Sequence, residues 1–400
     1  MPRKSPITLS PIAQAETPIY KLARVFQNNL FFPDPSPLYA LAGSLVANYH
    51  VGHPVWLMLI GSPSCGKSVL LNSLSTLPGV VCAAEINGTA ALLSGVRRKD
   101  VSTDSKGGLL HELGPHGALV IEEFTSILSQ DSDSLRKLLA AFRSIYYGSW
   151  SRTIGTEGGR KLEWRGKVAM FAACTQVLER YTSVSSEMGE RWIYYRFPET
   201  RGWAESRRNL ERNFNPAEVH ENLCNGMLDF IDTLGLQWGS KVENRRLLDW
   251  EVERLVVIAQ FAARARSAVP RDARTFEILD SATPEPPMRL ANTLAQLYLG
   301  MESSGLELVE SWRIVRKVAL DCVPFLRAQV LRAIREGAKT FTDIAKYCRT
   351  SPGAAKRAVE DLVIHRLLET KGAELGYTET TQRIWTDAGF DDVLAEGERL

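Results

Sequence analysis

Eight consecutive residues, Gly61-Ser62-Pro63-Ser64-Cys65-Gly66-Lys67-Ser68, carry the clearest chemistry in this 400-residue chain. Their spacing is that of a loop that wraps phosphate. The glycines let backbone N–H groups curl around phosphate oxygens, the Lys67 ammonium reaches the β- and γ-phosphates, and the Ser68 hydroxyl ligates Mg²⁺. The expected ligand is therefore ATP with Mg²⁺. A helix starting at this point adds the positive end of its dipole. The bare pattern also occurs in chance glycine turns. Here an unbroken apolar run, 55–60, precedes it and an apolar-periodic stretch, 68–77, follows, which is the strand-loop-helix setting the chemistry requires. Cys65 reads as a tolerated small residue within the loop, with a redox handle as the alternative.

The stretch Ala118-Leu119-Val120-Ile121-Glu122-Glu123 supplies the acids such a site needs. An apolar strand ending in two carboxylates delivers them to the C-terminal edge of a parallel sheet, where ligands bind. Glu122 is the candidate for the metal, directly or through water, alongside Ser68. Glu123 is the candidate for orienting or activating the attacking water. The usual pair is Asp-Glu, so Glu122 departs from the pattern by one methylene.

Placing these groups requires a sheet. Strands are expected at 55–60, 80–85, 118–124, 168–175 and 191–198, and helices at 20–27, 38–49, 68–77 and 133–146. Strands alternating with helices indicate an α/β fold, a parallel sheet with helices on both faces. Residues 1–20 are rich in Pro and Ser and read as a loose arm. The segment 31–37, with three prolines, reads as a turn or linker. Residues 203–320 are mostly helical by period, and 326–388 read as a separate small domain.

Composition narrows the function classes. A net charge of +2 is close to neutral and does not by itself predict a nucleic-acid partner, so local charge has to be read instead. The six cysteines are scattered, with no Cys/His cluster, which argues against a zinc site or a disulfide framework and fits a cytoplasmic protein. The N-terminal residues lack the apolar core of a signal peptide, and no apolar run approaches a membrane span, so no membrane partner is expected.

Two further segments resemble AAA+ ATPases, and most closely the minichromosome-maintenance (MCM) helicases. The run Lys167-Val-Ala-Met-Phe-Ala-Ala-Cys-Thr175, followed by Arg180-Tyr181, is similar to their sensor-1 strand. The resemblance puts Thr175, where Asn is commoner, in position to hold the lytic water. The segment Met188-Gly-Glu-Arg191-Trp-Ile-Tyr-Tyr-Arg-Phe197 resembles the family's Arg-Phe segment. That resemblance makes Arg191 an arginine finger acting on the neighbouring subunit's γ-phosphate, and it implies a homo-oligomeric ring or spiral, expected to be a hexamer. Residues 148–165 read as a β-hairpin. A hairpin at this place resembles the pre-sensor-1 insertion that touches DNA in the helicases' channel. Six Arg/Lys against two Glu over 143–167 suit phosphate contacts, with Arg152, Arg160 and Lys161 as candidates. Residues 87–114 sit where such proteins carry a helix-2 insertion. Arg289 resembles the sensor-2 arginine of the lid and is a further candidate phosphate contact. The order of GGLL, the acidic strand end, GSW-R-GT-GGR and MGER over residues 55–200 also resembles AAA+ ATPases of actinobacterial phages and integrative elements.

Toward the C-terminus, helices are expected at 325–336, 340–348 and 351–368, then a two-stranded wing formed by 369–377 and 382–386. This resembles a winged helix-turn-helix, which the MCM family also carries. Ten Arg/Lys against five Asp/Glu over 326–371 make it locally basic. If it binds DNA, the 351–368 helix enters the major groove and Lys356 and Arg357 make contacts. Winged helices also bind proteins. Unlike an MCM chain, only about 50 residues precede the first strand, and no zinc-ligand cluster accompanies them.

The expected division is an N-terminal arm (1–37), an AAA+ core (38–200), a helical lid (201–322), a winged helix domain (323–390) and an acidic tail (391–400). The expected function is an oligomeric DNA-dependent ATPase, a helicase or translocase replicating a phage or mobile element, with a loader or replication protein as a further partner. The alternative is an ATP-controlled switch that marks a DNA site, as initiators, transposition ATPases or transcription activators do.

Overall fold

The computed structural model describes residues 16–94, 107–154, 160–181, 191–198, 207, 215–272, 274–279, 282–372 and 374–391. The arm to residue 15, the basic stretch 95–99, the hairpin tip 155–159, Met188–Glu190 and the tail beyond 391 lie outside them.

The chain is mixed α/β. Helices α1 (Pro18–Asn29) and α2 (Ser36–Tyr49) precede β1 (Trp56–Ile60), the phosphate-loop candidate and α3 (Lys67–Asn72). Then come β2 (Val80–Ala83), α4 (Gly88–Leu92), α5 (Leu109–Leu113), β3 (His116–Ile121), α6 (Phe124–Leu128) and α7 (Ser132–Tyr146). A hairpin of β4 (Ser149–Ile154) and β5 (Arg160–Arg165) leads into β6 (Lys167–Cys174), a 3₁₀ turn (Gln176–Tyr181) and β7 (Trp192–Arg196). Four long helices follow, α8 (Pro216–Thr233), α9 (Asp249–Arg266), α10 (Met288–Ser303) and α11 (Leu308–Asp321). The C-terminal module contains α12 (Phe325–Arg335), α13 (Phe341–Tyr347), α14 (Pro352–Ile364), the strands β8 (Leu368–Lys371) and β9 (Glu374–Tyr377), and α15 (Glu379–Ala388).

The main sheet has the order β2-β3-β6-β1-β7, and its strand pairs are parallel. Its strands are apolar without interruption because both faces are covered. Leu57, Leu59, Val120, Phe171 and Ile193 point into one core with α1–α3 and the long helices. Trp56, Met58, Leu119, Met170 and Trp192 point into a second core with α4–α7 and the hairpin.

Residues 18–29 are not part of a loose arm. Ile19, Leu22, Ala23 and Phe26 recur at helical spacing and are buried. Thr17 ties the helix start to Gly305, its hydroxyl donating to that carbonyl at 2.8 Å. α2 is buried all round, since it lies between the sheet and α10. The two helices touch backbone to backbone: a Cβ on Gly300 would sit 2.1 Å from the Gly43 carbonyl oxygen.

The helix expected over 351–368 ends at Ile364, with Arg366 in a left-handed turn and Leu368 opening β8, and two further expected elements differ. The helix expected over 68–77 stops at Asn72 and continues only as turns. Ser73 bonds its hydroxyl back to the Leu70 carbonyl at 2.7 Å, and Pro78 disfavours helical geometry at Leu77. The strand that pairs with β8 is Glu374–Tyr377, and 382–386, expected as the second wing strand, lies in α15. Thr378 caps that helix, and Thr381, Ile384, Trp385 and Ala388 bury at helical spacing, which five residues of apparent alternation had concealed.

Candidate nucleotide site

Strand register brings the sequence candidates together. Ile60 of β1 pairs with Cys174 of β6, and Ile121 of β3 pairs with Ala172 of β6. Gly61–Ser68, Glu122, Glu123 and Thr175 therefore leave the same C-terminal edge from three adjacent strands, the place where α/β sheets bind ligands.

The loop has the backbone a phosphate cradle needs. Gly66 has φ of +93° with nothing within 4 Å of a notional Cβ, and Ser64 has φ of +66°. Left-handed turns of this kind aim consecutive N–H groups into one concavity. Gly61 is confined from both sides: a Cβ there would lie 2.8 Å from Cys65 Sγ and 3.0 Å from Phe197 Cβ. Lys67 is buried, and its Nζ donates to the Gly61 and Ser62 carbonyl oxygens at 2.9 and 2.7 Å, with Cys65 Sγ at 3.5 Å. The ammonium thus rests on its own loop, with no carboxylate partner among the described residues. Ser62, Pro63, Ser64 and Ser68 line the exposed rim. With only six residues, α3 contributes little dipole, so a phosphate in this loop would be held mainly by the loop amides.

Glu122 continues the ladder, its N–H donating to the Ala83 carbonyl at 3.2 Å. Glu123 caps α6, its carboxylate accepting from the Thr125 N–H at 3.1 Å. That cap fixes one oxygen of an otherwise exposed side chain. Neither acid forms an ion pair among the described residues. Both carboxylates are therefore available to a cation. Their neighbours include two thiols, Cys82 and Cys174, each pushed up to about 11 chiefly by burial, with Glu122 and Glu123 respectively adding to the shift. A serine hydroxyl and a carboxylate oxygen are a hard donor set that suits Mg²⁺ completed by phosphate and water. Among the described residues no group of three or more His, Cys, Asp or Glu is placed to hold a metal ion, and a Mg²⁺ held this way needs none.

Arg191 and Arg289 lie elsewhere. Arg191 precedes Trp192, which pairs with Trp56, so it sits at the N-terminal edge of the sheet. Its guanidinium lies 5.1 Å from the Tyr147 ring centre and 5.7 Å from that of Tyr146. Burial lowers its pKa from the ordinary arginine value, and Arg289 acts in the same direction. Arg289 is thus near Arg191 rather than the phosphate loop; its Nη1 lies 3.5 Å from Glu285 Oε1. The Tyr146-Tyr147 pair beside Arg191 was missed in the sequence, where it reads only as a helix end.

The hairpin separates its basic residues by face. Arg152 pairs with Leu162 and Thr153 with Lys161, and opposite residues share a face. Leu162 and Trp164 are buried, and Arg152 on their side donates to the Leu93 carbonyl at 3.2 Å. Lys161 and Arg165 face solvent with Glu163, which forms an ion pair with Lys161. Arg160 opens β5, and its side chain is outside what is described.

On α14, Lys356 is exposed with Glu360 at 3.9 Å. Arg357 lies 4.8 Å from the Phe276 ring centre, and Arg271 bonds the neighbouring Asp361 at 2.6 Å. Arg271 and Phe276 therefore cover one side of this helix.

No helix among the described residues is long and apolar enough to cross a membrane. No family model matches the chain, and no curated protein matches it. Among solved structures, the A form apo structure of the NrS-1 C terminal region is similar at 13% identity with a TM-score of 0.30, covering 59% of this chain. The chain spans 50% of that solved chain's length.

Proposed function

We propose that the chain is an oligomeric ATPase of AAA+ type that acts on DNA, as a helicase or translocase in replication of a phage or mobile element. The observation that carries this is the convergence of Gly61–Ser68, Glu122/Glu123 and Thr175 at one edge of three adjacent parallel strands. Mg²⁺·ATP supplies the phosphoryl group to be cleaved and the cation that offsets its charge. Lys67 leaves its two loop carbonyls for phosphate oxygens. Ser68 and Glu122 hold the cation, Glu123 draws a proton from the attacking water, and the Thr175 hydroxyl orients that water. Arg191, at the opposite edge, meets the γ-phosphate of a neighbouring subunit and stabilises charge in the transition state.

In this reading α8–α11 form the lid and the C-terminal module is a winged helix. Its three helices followed by a β-hairpin support that assignment. The test is ATP-dependent unwinding of a forked duplex, with Lys67→Ala as control. Unwinding by the wild type alone supports the helicase. Hydrolysis without unwinding supports the second reading, an ATP-controlled switch. That alternative needs Arg357 to leave the Phe276 ring, 4.8 Å from it here, before it can contact DNA.

A further inference from the structure

Arg196 closes β7 and grips several segments at once. Its Nη1 donates to the Glu179 carboxylate. Its backbone N–H donates to Asp321 Oδ2 and its Nε to the Asp321 carbonyl oxygen, both at 2.8 Å, and its Nη2 reaches the Val323 carbonyl at 3.4 Å. Lys317 completes the network, its Nζ donating to the Arg196 carbonyl at 2.8 Å and to Asp321 Oδ2 at 2.6 Å. Glu179 shares its carboxylate between Arg196 and the backbone N–H of Phe325, 3.0 Å away. The Arg196 and Glu179 side chains are 13% and 24% exposed, so solvent screens the pair far less than a surface ion pair.

What these groups adjoin decides their role. Glu179 lies on the 3₁₀ turn that directly follows Thr175. Arg196 precedes Phe197, whose N–H donates to the Ile60 carbonyl at 2.8 Å and whose Cβ walls in Gly61. Residues 321–325 are the joint between α11 and α12, where the C-terminal module begins. One ion pair therefore links the water-orienting turn, the first residue of the phosphate loop and the root of the C-terminal module.

We infer that Glu179 and Arg196 are positioning residues for the proposed hydrolysis, holding Thr175 and Gly61 in register with the joint to the C-terminal module. This rests on the reading of Gly61–Ser68 as the ATP site. A tie that serves stability alone would cost melting temperature and lower nucleotide binding and turnover together. A positioning pair loses turnover selectively, because the contacts to bound nucleotide survive while the water-holding turn shifts.

The test uses the full chain as wild type, Glu179→Gln, Arg196→Lys and Arg335→Ala. Arg335→Ala is the control, cutting the Arg335–Asp391 pair within the C-terminal module. Each protein is titrated with a fluorescent ATP analogue, assayed for phosphate release and melted. Glu179→Gln and Arg196→Lys, which keeps the charge but loses the fork, should bind within about 3-fold of wild type and turn over at least about 10-fold more slowly. Arg335→Ala should change neither quantity. Unchanged turnover in both variants, or binding and turnover falling together with melting temperature, overturns the inference. Failure of the ATP reading shows separately, as wild-type binding that is absent or indifferent to Lys67→Ala.

Discussion

Lys67 and Arg191 lie at opposite edges of one sheet: Trp56, the first residue of β1, pairs with Trp192, while Lys67 follows the loop that leaves Ile60. Five residues of strand separate the edges by roughly 17 Å, more than an arginine side chain can span. If both act on ATP, each serves a different molecule. Lys67→Ala and Arg191→Ala should each be inactive alone, and an equal mixture should recover roughly a quarter of wild-type hydrolysis by random pairing of subunits. A mixture as dead as its components would remove Arg191 from the reaction.

The two acids at the end of β3 should separate binding from chemistry. Glu123→Gln keeps the cap to Thr125 and loses the base, so nucleotide affinity should hold while phosphate release falls about 10²–10⁴-fold. Glu122→Gln should instead raise the Mg²⁺ concentration needed for half-maximal activity. Magnesium titrations of both variants check the assignment; identical profiles would mean the roles are not divided.

The hairpin predicts opposite outcomes for residues on its two faces. Lys161 and Arg165 face solvent, so Lys161→Ala with Arg165→Ala should weaken single-stranded DNA binding and flatten its salt dependence by about 0.7 for each phosphate no longer neutralised. Arg152→Ala removes a bond to the Leu93 carbonyl and should cost about 1–2 kcal/mol of stability with little change in salt slope. Measuring log affinity against log salt for both distinguishes them.

Acid should loosen the join between α9 and α10. The Glu251 carboxylate is buried, accepts two hydrogen bonds from Arg245 at 2.8 and 2.7 Å and one from Tyr298 at 2.6 Å, and is held at about 2, chiefly by Arg245. A depressed carboxylate stabilises the fold above its ordinary value of about 4.5, and that stabilisation is lost as pH falls through the window down to about 2. Glu251→Gln should cost about 2–4 kcal/mol at neutral pH and flatten melting temperature over that window. A variant with the wild-type acid profile would assign the acid sensitivity to another group.

Much of the geometry at the C-terminal edge of the sheet was legible because it is local. Gly61, Gly66, Lys67 and Ser68 owe their arrangement to a few backbone angles, and Glu122 and Glu123 to the end of an apolar strand. The Arg196–Glu179–Asp321 network was not legible, since its members lie up to 142 positions apart, by subtraction of the residue numbers, and no spacing pattern records their meeting. The faces of Arg152 and Lys161 were implicit in strand alternation but became definite only with the Arg152–Leu162 register. The helix at 382–386 was misread because five residues are too few to tell a period of two from one of 3.6.

The crossing of Gly43 and Gly300 bears on motion. α10, whose first turn carries Arg289, is seated backbone to backbone on α2, and α2 is packed against β1 and β6. Met301 also lies against Gly43, and a Cβ on either glycine would collide with the facing helix, so α10 and α2 have little room to slide at that crossing. Arg191, next to β7, and Arg289, in the first turn of α10, are neighbours there, so in the proposed oligomer a rotation that offered one arginine to a neighbouring subunit would offer the other with it.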